Sequence, residues 1–163
     1  MGTLLPAPAQ ASSRTQLDCK VLFDLTLTPG LSLRPSKGSF TTGGEVGTLD
    51  CTGVYRGRKI SGPGSFGVDA RYGGSSPAGD SCLLEAGSGR YFFTLPADGG
   101  PVKEQGTFDQ RMFNRRGNVA ASSADRQTSW MGDFVFVPTK GDCVIEPVTT
   151  ARVEMDIQGR SAG

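Results

Sequence analysis

Two segments near the ends of the chain alternate apolar and polar residues with a period of two, and this pattern constrains the fold most. In residues 17–28 every second position is apolar, namely Cys19, Val21, Phe23, Leu25 and Leu27. In residues 151–157 the apolar positions are Ala151, Val153, Met155 and Ile157. Because successive side chains of a β-strand point to opposite faces, each segment is predicted to form a strand with one buried face.

Glycine and proline separate the apolar runs throughout the chain, with 24 glycines and 10 prolines among 163 residues. Both residues weaken helices and suit short strands joined by tight turns. The pattern predicts about eight to ten strands and no helix, arranged as an all-β antiparallel β-barrel or a two-layer β-sandwich. Periodicity leaves these two architectures open.

Two further segments are predicted from their breaker and polar residues. Residues 86–89, Ala-Gly-Ser-Gly, lie between two β-favouring runs and are predicted to form the turn of a hairpin. Residues 111–127 are polar and small without a clear period, and they are predicted to form a long exposed loop.

The four cysteines predict two disulfide bonds. Cys19, Cys51, Cys82 and Cys143 include no C-x-x-C pair, and the chain has no histidine, so zinc ligation is not indicated. Three pairings are possible. We favour Cys19–Cys51 and Cys82–Cys143, because the first two cysteines occupy consecutive long strands and the other two then remain.

The first residues resemble the end of a secretory signal peptide. Residues 9–11, Ala-Gln-Ala, form an A-x-A cleavage pattern after a short apolar run. We therefore predict that residues 1–13 are a signal-peptide remnant or, alternatively, a disordered tail. Residues 14–163 are predicted to form a single secreted β-domain without a membrane span.

The residue inventory excludes several kinds of chemistry. Without histidine there is no Ser-His-Asp triad and no histidine base, and oxidised cysteines supply no thiolate. Carboxylates beside apolar runs are the remaining acid/base candidates, although outward strand charges give the same pattern: Glu85, Asp109, Asp133 and Glu146. We predict no catalytic residue, cofactor or metal. The net charge of +1 provides no general field to attract nucleic acid or an anionic membrane.

Aromatic and basic residues supply the candidate ligand-binding site. The predicted set combines aromatic side chains with two arginines of the predicted loop: Tyr91, Phe93, Phe113, Trp130, Arg115 and Arg116. Aromatic residues in β-proteins also form cores, and loop charges are also simply solvated. The set nevertheless predicts a working surface where the loop meets the aromatic strands.

Residues 17–110 resemble small secreted β-rich proteins of actinobacteria. The shared order is LTPGLSL, GSFT, GTLDCTG, GPGSFG, DSCLLE and GSGRYFFTLP. The resemblance implies an extracellular location and a β-fold, but no activity.

The leading functional prediction is a secreted, disulfide-stabilised β-domain that binds an extracellular ligand or partner without catalysis. The partner would be a small molecule, a cell-wall glycan or a secreted protein. The alternatives are a small cofactor-independent β-barrel isomerase or cyclase, and a protease inhibitor with Arg115 and Arg116 as bait. An internal cavity with inward polar groups would favour the binding or cyclising functions.

Overall fold

The structure, a computed structural model, describes residues 14–162 and is built from strands alone. No helix among these residues is long and apolar enough to cross a membrane. The predicted signal remnant, residues 1–13, lies outside the described residues. In chain order the strands are β1 (Gln16–Leu31), β2 (Gly38–Thr41), β3 (Gly47–Tyr55), β4 (Arg58–Lys59), β5 (Gly64–Tyr72), β6 (Leu84–Leu95), β7 (Val102–Phe113), β8 (Arg116–Ser123), β9 (Thr128–Lys140) and β10 (Val148–Ser161).

The strands close into an antiparallel barrel. Strands β5 to β10 pair in sequence order, and β10 pairs along its length with β1. Strands β2 and β3 each pair with both β1 and β5, so they share one position in the wall. The short β4 pairs antiparallel with the end of β3. The all-β prediction is confirmed, and the architecture is an eight-stranded barrel with two extra strands rather than a sandwich.

The barrel has two ends, which we call lower and upper. The lower end is where β1 begins, and it carries the turns at residues 56–57, 96–101 and 124–127. The upper end is where β1 finishes, and it carries the loops at residues 32–37, 73–83, 114–115 and 141–147.

Both disulfides have the predicted pairing. Cys19 and Cys51 lie opposite each other on β1 and β3, with their Cα atoms 4.1 Å apart, and both are buried. Cys82 and Cys143 join two loops at the upper end, with Cα atoms 6.2 Å apart. One disulfide therefore cross-links two strands of the barrel wall, and the other cross-links two loops at the upper end.

The predicted hairpin at residues 86–89 is wrong, because these residues lie within the continuous strand β6. Gly87 and Gly89 belong to the inward-facing phase of β6, between Glu85 and Tyr91. A Cβ on Gly89 would lie 2.3 Å from the backbone oxygen of Asp69 and 2.5 Å from the Ala70 Cβ. The glycine therefore serves close packing of β6 on β5 rather than a change of chain direction.

This packing predicts that Gly89→Ala destabilises the protein by about 1–3 kcal/mol, because the added methyl group overpacks against backbone atoms. Ser88→Ala, at the exposed neighbouring position, is the matched control and should change stability by less than about 0.5 kcal/mol. Urea denaturation of both variants measures the difference. Equal stabilities for the two variants would contradict the close-packing role.

The predicted loop at residues 111–127 is also wrong. These residues form the end of β7, a two-residue turn at Asn114–Arg115, all of β8, and the turn into β9. Strand β8 does alternate, since Val119 and Ala121 are half-buried against the core, but Ala120 outside is as small as its neighbour inside. The period was hidden because the inner and outer side chains of this strand differ little in hydrophobicity.

Candidate functional site

The interior of the barrel contains a cavity of about 80 Å³. Its wall is almost entirely apolar and draws on strands from all around the barrel, including Leu25, Phe66, Val68, Ala121, Trp130, Phe136 and Val153. Polar side chains reach this wall at two places, one toward each end. The cavity is smaller than the few hundred cubic ångströms typical of ligand sites.

The lower polar cluster joins a carboxyl group to two aromatic side chains. The Tyr91 hydroxyl donates to Glu104 Oε1 at 3.2 Å, and Trp130 Nε1 donates to the same oxygen at 3.4 Å. Glycines provide the room for both rings. A Cβ on Gly106 would lie 2.7 Å from the Tyr91 hydroxyl, and one on Gly159 would lie 2.6 Å from the indole ring.

Burial dominates the ionisation of this cluster. Removal from water raises the pKa of Glu104 from its ordinary value of 4.5 to about 7, against the stabilising hydrogen bonds from Trp130 and Tyr91. Burial, followed by the charge of Glu104, also raises the pKa of Tyr91, and the same two causes raise the pKa of Tyr55 to about 12. Glu104 is therefore poised to exchange a proton near neutral pH.

The upper polar cluster pairs a second buried carboxyl group with an amide. Gln110 Nε2 donates to both carboxylate oxygens of Glu85, at 2.7 and 2.6 Å. Burial raises the pKa of Glu85 to about 7, although the Gln110 hydrogen bond acts in the opposite direction. Nearby, the carboxylate of Asp80 accepts hydrogen bonds from the backbone N–H groups of Gly73 and Ala86, which anchors the loop above this cluster.

Each cluster keeps one hydrogen-bond acceptor unused. Within residues 14–162, Glu104 Oε2 and Gln110 Oε1 are buried and have no hydrogen-bond partner. A buried acceptor without a partner is costly, so such atoms are uncommon unless a ligand or water pairs with them. The two atoms mark where a hydrogen-bond donor would be stabilised inside the barrel.

The lower end is covered by an aromatic and ionic group. The Tyr55 ring meets Phe93 edge-on at 6.3 Å, and the Arg56 guanidinium lies 5.2 Å from the centre of the Tyr55 ring. Arg56 also forms an ion pair with Asp125 at 2.7 Å. Hydrogen bonds from Ser123 and the backbone of Gln127, together with Arg56, lower the pKa of Asp125 to about 2.

The six predicted ligand-binding residues divide between two places. Tyr91, Phe93 and Trp130 are buried inside the barrel toward the lower end, where Phe93 contacts both other rings. Phe113, Arg115 and Arg116 are exposed at the upper end. The structure therefore does not form one site from all six, because the turn carrying the arginines lies at the opposite end from the aromatic rings.

The four candidate carboxylates also separate. Glu85 is buried in the upper cluster, whereas the others are exposed: Asp109, Asp133 and Glu146. Glu104 and Gln110 were not among the site residues predicted from the sequence. Their positions in the sequence could have indicated burial, because both fall on the same face of β7 as the apolar residues Phe108 and Met112.

The two buried glutamates cannot act together on one bond. Glu104 and Gln110 are six residues apart on β7, which places their Cα atoms about 20 Å apart at the usual rise of a strand. Paired carboxyl groups in glycoside cleavage are within about 10 Å of each other. The arrangement therefore offers two separate polar clusters rather than a catalytic pair.

No group of three or more potential metal ligands comes together within residues 14–162. Comparisons with protein-family models, with curated proteins and with solved structures found no match to this chain. The features of the molecule that bear on its function are therefore the cavity, the two polar clusters and the surface of the barrel.

Proposed function

We propose that the protein is a secreted barrel domain that binds a small, mainly apolar molecule bearing a hydroxyl or amide N–H donor. The observation that carries this proposal is an apolar cavity whose wall includes a buried acceptor without a partner, Gln110 Oε1. Apolar walls with a few polar groups are typical of small-molecule sites. Two disulfides support an oxidising, extracellular setting.

The cavity volume limits the size of the ligand. An engineered cavity of about 150 Å³ accommodates benzene, so about 80 Å³ accommodates a smaller group unless side chains move. A short aliphatic chain with a terminal hydroxyl satisfies both requirements: the chain fills the apolar part, and the hydroxyl pairs with an acceptor at one end.

We expect ethanol, propanol and butanol to bind saturably and to change the fluorescence of Trp130. This residue is the sole tryptophan and lines the cavity, so its emission reports on cavity occupancy directly. Ala121→Leu should abolish the change, because three added carbon atoms fill the space beside Trp130. The bound alcohol should also raise the melting temperature of the wild-type protein.

Ala120→Leu is the matched control. It makes the same change one residue away, but on the exposed outer face of β8, and should bind the alcohols like the wild type. If the alcohols change the emission of both variants equally, or do not bind the wild-type protein, the cavity is not a binding site.

Cofactor-independent isomerisation is a second candidate, favoured by the pKa values near 7 of Glu85 and Glu104. A carboxyl group with such a pKa transfers protons effectively at neutral pH. Mass spectrometry of the ligand recovered from the protein discriminates the two functions, because a binding protein releases its ligand unchanged. No observation in the structure favours the inhibitor alternative: Arg115 lies in a tight turn with φ of 69°, not in an extended loop.

A further inference from the structure

The exposed apolar side chains of the barrel are concentrated at its upper end. Each of the four upper loops has at least one exposed apolar side chain, either within the loop or on the strand residue next to it. They are Leu33, Leu83, Leu84, Phe113, Val144 and Ile145. Among the described residues, the lower-end turns carry no exposed large apolar side chain. Barrel closure does not require this asymmetry, since these side chains point to solvent.

The upper loops are linked to one another, and we call their six exposed apolar side chains the upper apolar surface. Leu84 and Phe113 are register partners on β6 and β7, and Asn114 N donates to Leu83 O at 2.9 Å. The Cys82–Cys143 disulfide joins this pair of strands to the loop that carries Val144 and Ile145. Leu33 N donates to Cys143 O at 3.3 Å, which brings the first loop to the same place.

The conformation of the loop that carries Val144 and Ile145 is stabilised by Asp142, which belongs to the same loop. The carboxylate oxygen Oδ1 of Asp142 accepts hydrogen bonds from three successive backbone N–H groups, at 3.0, 2.8 and 3.0 Å. The donors are Val144, Ile145 and Glu146. Val144 is 74% and Ile145 85% exposed, so the turn presents two aliphatic side chains to solvent without burying either.

Basic side chains surround this surface. Six exposed cations lie in the upper loops or within two residues of them: Arg34, Lys37, Arg71, Arg115, Arg116 and Lys140. By the same measure only Asp142 and Glu146 are exposed acids, while Asp80 and Glu85 are buried. None of the six cations forms an ion pair within residues 14–162. The positive charge of this end is therefore available to a partner, although the whole chain carries only +1.

We propose that the upper apolar surface docks on an anionic lipid membrane. Aliphatic and aromatic side chains at loop tips, surrounded by arginine and lysine, match an interface where apolar groups enter the acyl boundary and cations meet lipid phosphates. The charge complementarity selects the anionic bilayer, because an uncharged apolar partner would leave six cations without a counterion. The barrel axis would then stand across the membrane plane, with the lower end facing away.

The test is sedimentation of the full chain with vesicles of phosphatidylcholine alone or mixed with equal phosphatidylglycerol. We expect binding to the anionic vesicles that weakens in high salt. The variant V144S with I145S should bind at least about tenfold more weakly, since its loss of apolar carbon removes the inserting groups. The variant R115Q with R116Q should lose about fivefold for each charge on anionic vesicles.

The matched control is V46S with M131S, which removes apolar side chains of comparable exposure, 72% and 68%, away from the upper end. It should bind vesicles like the wild type. Equal losses in the loop and control variants would overturn the proposal, as would an absence of binding to anionic vesicles at low salt. Sedimentation velocity on the same samples tests whether a second copy of the chain covers the surface instead. Dimerisation that V144S with I145S abolishes, in the absence of vesicle binding, would assign the surface to that second copy.

Discussion

The protein is expected to be less stable at about pH 8 than at about pH 5, by about 2 kcal/mol for each of its two buried glutamates. In the folded state the pKa values of Glu85 and Glu104 are raised from 4.5 to about 7. A raised carboxyl pKa means that the folded protein holds its proton more tightly than the unfolded chain does. The favourable contribution is therefore complete below about pH 4.5, and it is lost as the pH rises through about 7. Urea denaturation across this range measures the effect.

Glu85→Gln and Glu104→Gln should each remove part of the pH dependence and raise the stability at pH 8, because a neutral amide carries no desolvation cost of charge. The Gln replacing Glu85 would additionally offer a donor to the unpaired Gln110 Oε1. Glu146→Gln, at an exposed loop position, is the control and should preserve the pH profile. A wild-type stability that rises between pH 5 and 8 would contradict the raised pKa values.

No other described group is expected to reverse this trend in the same range. The chain has no histidine, and Asp125 has a lowered pKa of about 2. A lowered carboxyl pKa contributes stability above its ordinary value of 3.8, and this contribution is lost only as the pH falls toward 2. The two buried glutamates therefore dominate the profile from weakly acidic to weakly basic pH.

Removing the upper disulfide with C82A and C143A is expected to cost about 4 kcal/mol, the second large effect. The bond joins residues 61 apart in sequence, and cross-linking a chain over that length restricts the unfolded state strongly. The pair C19A and C51A spans 32 residues and should cost about 0.5 kcal/mol less on loop length alone. Chemical denaturation without reductant measures both losses.

The same variants also show which disulfide contributes more to stability. Reduced wild-type protein should show both losses together, because each bond acts on the same unfolded chain. A cost below about 1 kcal/mol for C82A and C143A would show that the upper loops hold their arrangement without the cross-link. The hydrogen bonds of Asp80 to Gly73 and Ala86 would then be sufficient to hold the loop between β5 and β6.

The sequence by itself determined the strands whose two faces differ most. Alternation is strict over residues 16–28 of β1 and 151–160 of β10, and the inward residues there are the ones that the pattern placed inside. The disulfide pairing was also accessible, because Cys19 and Cys51 occur in consecutive strands that were predicted to be long. These features are local, since a period of two assigns each side chain to a face wherever the strand pairs.

Only the tertiary structure decided what each face meets. Gly87 and Gly89 are breakers by composition, yet in β6 they provide the space that Phe40, Gln110 and Ala70 occupy. The alternation of β8 was obscured because Ala120 and Ala121 are identical in the sequence but lie on opposite sides of the wall. A period of two is visible in the sequence only where the inward and outward side chains of a strand differ in hydrophobicity.

The candidate site shows the same division. Aromatic content indicated Tyr91, Phe93 and Trp130, and these three do lie together inside the barrel. Their carboxyl partner, Glu104, had the inward phase of β7, but a charged residue at such a position is ordinarily assigned to solvent. Closure of the barrel buries Glu104 instead, because the inward face of β7 is enclosed by the other strands and contacts their side chains. The cost of burying that carboxyl group, and with it the raised pKa, is therefore a property of the closed fold.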